Sequence, residues 1–171
     1  YFWHSRDSVF MDSAEEKVNL STAFDDGAEI GELAGVVNLK AIPEWPLKLY
    51  GVYARNFSAE SGVLAGVSTD EDDVAWGGGF EFGSASRFAK VGVGYYEVEA
   101  NAVIASMTDS DLFDGKTNRK GWVFTGSRNL TRAVALKASL YKSRAIEDSA
   151  PYDDSVPGGD RYRFRTDLVI M

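Results

Sequence analysis

The sequence predicts an all-β protein, an antiparallel up-and-down transmembrane β-barrel with about eight strands in this chain. Three observations carry the prediction: apolar residues recur with a period of two, the connections between these segments alternate between short and long, and acidic residues collect in the long ones. With 171 residues, 44% hydrophobic and 13% aromatic, the chain suits one domain, 1–171, and is too apolar to be disordered. It has no cysteine, which excludes a disulfide framework and a thiolate metal site. No stretch approaches the roughly 18 uninterrupted apolar residues of a spanning helix, so any membrane span must be β. Tyr1-Phe2-Trp3-His4 is not a signal peptide, and with no initiator Met and an abrupt stop at Met171 the chain is expected to be the C-terminal part of a larger barrel.

The alternation is clearest where Val134, Leu136, Ala138 and Leu140 interleave with Ala135, Lys137, Ser139 and Tyr141. In the closing segment, Tyr162, Phe164, Thr166, Leu168 and Ile170 fall on one face, and Arg161, Arg163, Arg165 and Asp167 on the other. Similar patterns mark Leu33 to Ile42, Leu47 to Asn56, Val74 to Ser84, Ala89 to Glu99 and Gly121 to Leu130, with a weaker first strand within Tyr1 to Phe10. Tight turns are expected at Pro43-Glu44-Trp45-Pro46, Ser84 to Arg87 and Asn129 to Arg132. Long polar loops are expected from about Met11 to Ala28, Ser58 to Asp73, Ile104 to Asn118 and Glu147 to Asp160. A soluble meander has no reason to keep every second connection short. Barrels of the bacterial outer membrane do, with short periplasmic turns and longer extracellular loops.

Charge follows the same division. The four long loops hold 18 of the 26 acidic residues and two basic ones, Lys17 and Lys116, so they are net −16 and the remainder net +8. The overall charge of −8 therefore misrepresents the wall, and a cationic lumen is expected.

These segments, taken in order, resemble the putative porins of Gram-negative outer membranes. The resemblance rests on Pro46-Leu47-Lys48-Leu49-Tyr50, Tyr53-Ala54-Arg55-Asn56, Asp73-Val74-Ala75-Trp76 and Phe82-Gly83. It continues through Gly94-Tyr95-Tyr96-Glu97-Val98-Glu99-Ala100-Asn101-Ala102-Val103, Thr108-Asp109-Ser110-Asp111, Gly115-Lys116-Thr117-Asn118 and Gly121. Trp122 is a departure, since His is expected after the glycine. The resemblance implies a passive diffusion channel, not an enzyme, with no cofactor. It also implies membrane lipid, lipopolysaccharide and small polar solutes as partners, and either a homo-oligomer or further strands.

Arg161, Arg163 and Arg165, with Lys137 and Tyr141 on the neighbouring strand, are candidates for a pore-lining cationic ladder that attracts anions. The alternative is ordinary lumen charge, with the arginines paired to Glu81 or Asp167 across strands. Trp76, Tyr95, Trp122 and Tyr162 are expected to form a lipid-interface girdle, because they share faces with Val74, Val93, Phe124 and Phe164; sugar stacking along a channel is the rival reading. Ala75, Gly77, Gly79, Gly92 and Gly94 are expected to leave space inside the wall. Asp109 to Gly115 and Asp70 to Asp73 are carboxylate-rich but lack calcium-loop spacing, so solvated loop charge is expected and no metal site. Gly77-Gly78-Gly79 lies within a strand and is no phosphate loop. His4, the sole histidine, has no catalytic partner, and the acidic loops have the wrong sign for nucleic acid.

Two other architectures fit parts of the pattern. A self-contained eight-stranded barrel would serve as an anchor or adhesin through its acidic loops, and a soluble lipocalin-like calyx would need apolar residues inside, against the arginine face of the last strand. The parity of the closing strand puts the next outward position at residue 172, so the natural chain is expected to extend at least one residue, a terminal Phe, past Met171.

Overall fold

The structure, a computed structural model, describes residues 2–5, 28–39, 45–59, 62–64, 67–69, 72–103, 111–113, 115–147 and 159–170. Its strands, in chain order, are β1 (Phe2–Ser5), β2 (Ala28–Leu39), β3 (Leu47–Asn56), β4 (Gly62–Leu64), β5 (Val67–Thr69), β6 (Val74–Gly83), β7 (Lys90–Val98), β8 (Arg119–Asn129), β9 (Val134–Ala145) and β10 (Arg161–Ile170). Eight of them form one antiparallel sheet in the order β1-β2-β3-β6-β7-β8-β9-β10, while β4 and β5 make a separate hairpin. The order is an up-and-down meander. Among the described residues no pairing joins β1 to β10, and the sheet is open.

Directly opposed residues of an antiparallel pair share a face, so the register sorts the side chains. Tyr53 opposes Trp76, Phe80 opposes Val93, Val93 opposes Phe124, Phe124 opposes Leu140 and Leu140 opposes Phe164. These residues form the apolar face. The other face carries the row Lys48, Glu81 and Gly92 and the row Val123, Tyr141 and Arg163. Period two within each strand thus becomes a two-faced sheet, because the register keeps parity across every ladder.

Burial follows this division. Among the described residues, sixteen large hydrophobic strand residues that are exposed lie on the apolar face, from Leu33 at 75% to Ile170 at 82%, and Val36 alone lies on the other. The buried cluster sits on the polar face, at its loop end. There Ile30, Ala54, Ala75 and Val98 are covered by Ala102, Leu112 and Phe113, which come from the connection between β7 and β8. Burying Leu112 and Phe113 contributes about 1.5–3 kcal/mol each, enough to hold that connection against the sheet.

The two tight turns that lie within the described residues, Ser84 to Arg87 and Asn129 to Arg132, form where the sequence places them. The backbone N–H groups of Arg87 and Phe88 both donate to the Ser84 carbonyl, at 3.2 and 3.1 Å, and Leu130 N–H donates to the Val134 carbonyl at 2.9 Å. Gly83 ends β6 at φ +90°, a conformation open to glycine and strained for other residues.

Two expectations about these elements need correction. β2 starts at Ala28, five residues before the expected Leu33. Ile30 is buried there, and Phe57 N–H donates to the Glu29 carbonyl at 2.7 Å, so long-range contacts recruit a polar stretch that reads locally as loop. The connection expected as loop from Ser58 to Asp73 contains the hairpin of β4 and β5. Residues 40–44, with most of the expected first turn, lie outside the described residues.

The inner glycines do not leave open space. A Cβ on Gly77 would lie 2.2 Å from the Tyr96 ring, and a Cβ on Gly79 or Gly94 would lie 2.8 Å from the Tyr50 hydroxyl. The tyrosines lie over the glycines and fill the volume that absent side chains release. Gly77→Ala is expected to destabilise by about 1–3 kcal/mol, with Gly77→Ala and Tyr96→Ala together less destabilising than their sum by about 1 kcal/mol. A denaturant double-mutant cycle measures this, and strict additivity would refute the packing.

Candidate functional site

On the apolar face, aromatic residues occur near both ends of the strands. At the loop end, the Trp76 and Tyr95 rings lie 5.4 Å apart, Tyr95 and Trp122 4.9 Å, and Trp122 and Phe124 6.3 Å. Lys142 separates Trp122 from Tyr162 in the register and places its ammonium 5.4 Å over the Tyr162 ring. The structure thus brings Trp76, Tyr95 and Trp122 into contact and puts Tyr162 at the same level on β10. At the turn end, Trp45 stacks on Phe82 at 5.5 Å, and the Arg128 guanidinium lies over Phe88. From Trp76 to Phe82 the strand rises roughly 20 Å, close to the height of the apolar band on a membrane barrel.

The opposite face is polar and crossed by a loop. Its strands carry seven cations, Lys48, Lys90, Arg119, Lys137, Arg161, Arg163 and Arg165, against three carboxylates, Glu32, Glu81 and Asp167. Leu112 and Phe113 are buried under the loop end, and their packing pins the neighbouring Asp111 over β10. Its carboxylate accepts from Arg165 Nη1 at 2.7 Å and lies 3.2 Å from Arg163 Nη1, with the Tyr141 hydroxyl at 3.5 Å. Donation from Arg165 holds the Asp111 carboxyl below its ordinary value against an opposing cost of desolvation, with smaller help from Arg163 and Tyr141.

The sign of the pH dependence follows. A depressed pKa means the contact is fully present above the ordinary aspartate value and is lost only as pH falls through the lowered one. The Asp111 bridge is expected to persist from neutral pH down to about pH 4. Carboxyl-carbon NMR of Asp111, assigned by comparison with Asp111→Asn, measures this, and protonation at the ordinary aspartate value would refute the bridge.

Two pairings differ from those expected. Glu81 pairs with Lys90 at 3.3 Å and Lys48 at 3.6 Å instead of with arginine. Asp167 pairs with Arg165 at 3.0 Å along its own strand, because residues two apart share a face, whereas Lys137 stands opposite Asp167 in the register. Arg161 opposes Ser143 at the loop end of the same row. The exposure of these groups keeps each pair weak. The loop acids also differ from solvated charge: Asp73, 7% exposed, bridges to Arg55, and Asp111 bridges to two arginines. Asp109, Ser110, Asp70 and Glu71 lie outside the described residues, and among the described residues no cluster of three metal-ligating side chains occurs.

A set of buried polar residues anchors the loops. Asn56, fully buried, donates through Nδ2 to the Asn101 carbonyl at 2.9 Å and accepts from the Ser58 hydroxyl at 2.8 Å and from Glu29 N–H at 3.3 Å. The Thr117 hydroxyl donates to the Ala100 carbonyl at 2.8 Å. Asn118, at φ 55°, exchanges two side-chain hydrogen bonds with the Glu147 backbone, at 3.0 and 3.1 Å. Glu99 accepts from Val74 N–H at 2.8 Å, and burial raises its carboxyl above the ordinary value. Sequence reasoning assigned these residues no role. The available signal was that Asn56, Asn101, Thr117 and Asn118 are small polar residues next to strand ends, where buried backbone groups need partners.

Fold and site together define a class: an all-β meander with one exposed apolar face, and a polar, net cationic face spanned by a charged loop, a porin-like arrangement. A family model described as putative porin matches residues 11–157, and the chain belongs to that family. No curated protein and no solved structure matches it.

Proposed function

We propose that this sheet is part of the wall of an outer-membrane β-barrel through which small polar solutes diffuse passively, with no cofactor and no chemistry. The single observation that carries the reading is the distribution of exposed large hydrophobic residues in the described strands: sixteen on one face and one on the other. In water that pattern is costly, whereas in lipid it is the favoured side for acyl-chain contact. Trp76, Tyr95, Trp122 and Tyr162 are then the girdle on the extracellular side, and Lys137, Tyr141, Arg161, Arg163, Arg165 and Glu81 face the lumen. A free sheet edge is untenable in hydrocarbon, so β1 and β10 are paired along their outer edges in the assembled protein. Asp111 narrows the passage at the arginine row and offsets part of its charge. Selectivity is therefore a modest preference for anions.

Insertion into planar bilayers tests this. Stable conductance steps with a linear current–voltage relation and a reversal potential on the anion side are expected. Protein that stays monodisperse without detergent and yields no conductance would overturn the reading, and cation preference would overturn the selectivity.

A further inference from the structure

At the loop end of the apolar face, three cations converge above the aromatic row. Lys120 opposes Arg144 in the register, and Lys142 lies one outward position below Arg144, opposite Trp122. With Tyr95, Trp122 and Asp160 they line a cavity of about 350 Å³. Two carboxylates lie nearby, and each is engaged. Asp160 accepts from Lys142 at 2.7 Å, and Glu97, opposite Lys120 in the register, accepts from the Tyr95 hydroxyl at 2.9 Å. Among the described residues neither Lys120 nor Arg144 is in an ion pair, unlike Arg55, Arg163 and Arg165. An ammonium and a guanidinium thus stand side by side at the loop end of a face whose centre is apolar, and the charge of Arg144 reaches Asp160 without a direct pair.

We infer that Lys120, Arg144 and the cavity beside them bind the phosphate of a phosphorylated lipid headgroup from the leaflet that meets the long loops. The inference rests on the membrane reading. Guanidinium and ammonium groups are the two side chains that best match phosphate oxygens, the first as a planar fork and the second as a point charge. The lipid source, as against free phosphate, follows from what continues the site on the same face. Trp122 forms its lower edge, and below it Phe124, Leu140 and Phe164 are exposed at 43%, 41% and 69%, a surface suited to acyl chains. A headgroup held at the cations places its chains along those residues.

The test uses the protein in neutral detergent micelles, with phosphatidic acid as the probe, diacylglycerol of the same chains as the control without phosphate, and inorganic phosphate as the control without chains. Intrinsic fluorescence of Trp122 and its neighbours reads binding. Phosphatidic acid is expected to bind, diacylglycerol not to, and the double variant K120Q/R144Q to bind phosphatidic acid more weakly by on the order of tenfold. The variant R128Q, a cation at the turn end of the same face, should bind like the parent. Equal affinity of K120Q/R144Q and parent would overturn the site, and inorganic phosphate binding as tightly as phosphatidic acid would overturn the lipid source. Flotation with phosphatidylcholine vesicles separates the two readings. If parent and variant both float, a failure belongs to the site alone; if neither floats, the membrane reading and the site fail together.

Discussion

Asp111→Asn is expected to shift the reversal potential further toward anions, raising the anion-to-cation permeability ratio by about threefold or more. The carboxylate sits 2.7 Å from Arg165 and 3.2 Å from Arg163, so removing its charge leaves two guanidinium groups facing the passage with less to offset them. The isosteric amide keeps the volume of the side chain and separates charge from width. Asp111→Ala should produce the same shift together with a larger single-channel conductance, since the side chain that spans the gap is also lost. Arg163→Gln with Arg165→Gln should move the ratio the other way. Measurements at low and high salt add a check, because charge-based selectivity fades as the Debye length shortens. An unchanged reversal potential in Asp111→Asn would mean that the bridge lies off the conduction path.

Asn56→Ala is expected to destabilise the fold by about 2–4 kcal/mol, the largest effect anticipated for a polar substitution in this chain. The side chain is fully buried and ties three segments at once: the start of β2 through Glu29, the turn after β3 through Ser58, and the loop after β7 through Asn101. Truncation removes the amide that donates to the Asn101 carbonyl and the acceptor of the Ser58 hydroxyl, which still accepts from Glu29 N–H. Urea unfolding in micelles measures the loss, and a change below about 0.5 kcal/mol would show that water replaces the amide. Because Asn101 and Ala100 belong to the segment that leads to Asp111, the same variant should also increase current noise.

The alternating residues of β9 and β10 show how much of the fold could be read directly. Lys137, Ser139 and Tyr141 fall on one face and Leu136, Ala138 and Leu140 on the other, because a strand turns its side chains by half a revolution per residue whatever its neighbours do. The shared face of the aromatic residues was legible for the same reason: Trp76, Tyr95 and Trp122 have the parity of Phe80, Val93 and Phe124 within their own strands. The Asp111 bridge was not. Asp111 and Arg165 are 54 residues apart, and nothing local to either marks the other as its partner. The tyrosines over the glycines escaped notice in the same way, since Gly77 meets Tyr96 only through the pairing of β6 with β7.

Sequence alone determined the strand periodicity, the short turns, the two-faced character of the wall and the excess of positive charge on it, all properties that depend on residues close together in the chain. Tertiary structure decided which loop folds back over the polar face, which carboxylate meets the arginine row, which buried amides hold the loops, and that Lys120 and Arg144 stand together on the apolar side. Those outcomes depend on register and on loop closure between distant segments, and neither quantity is encoded in the pattern of any single strand.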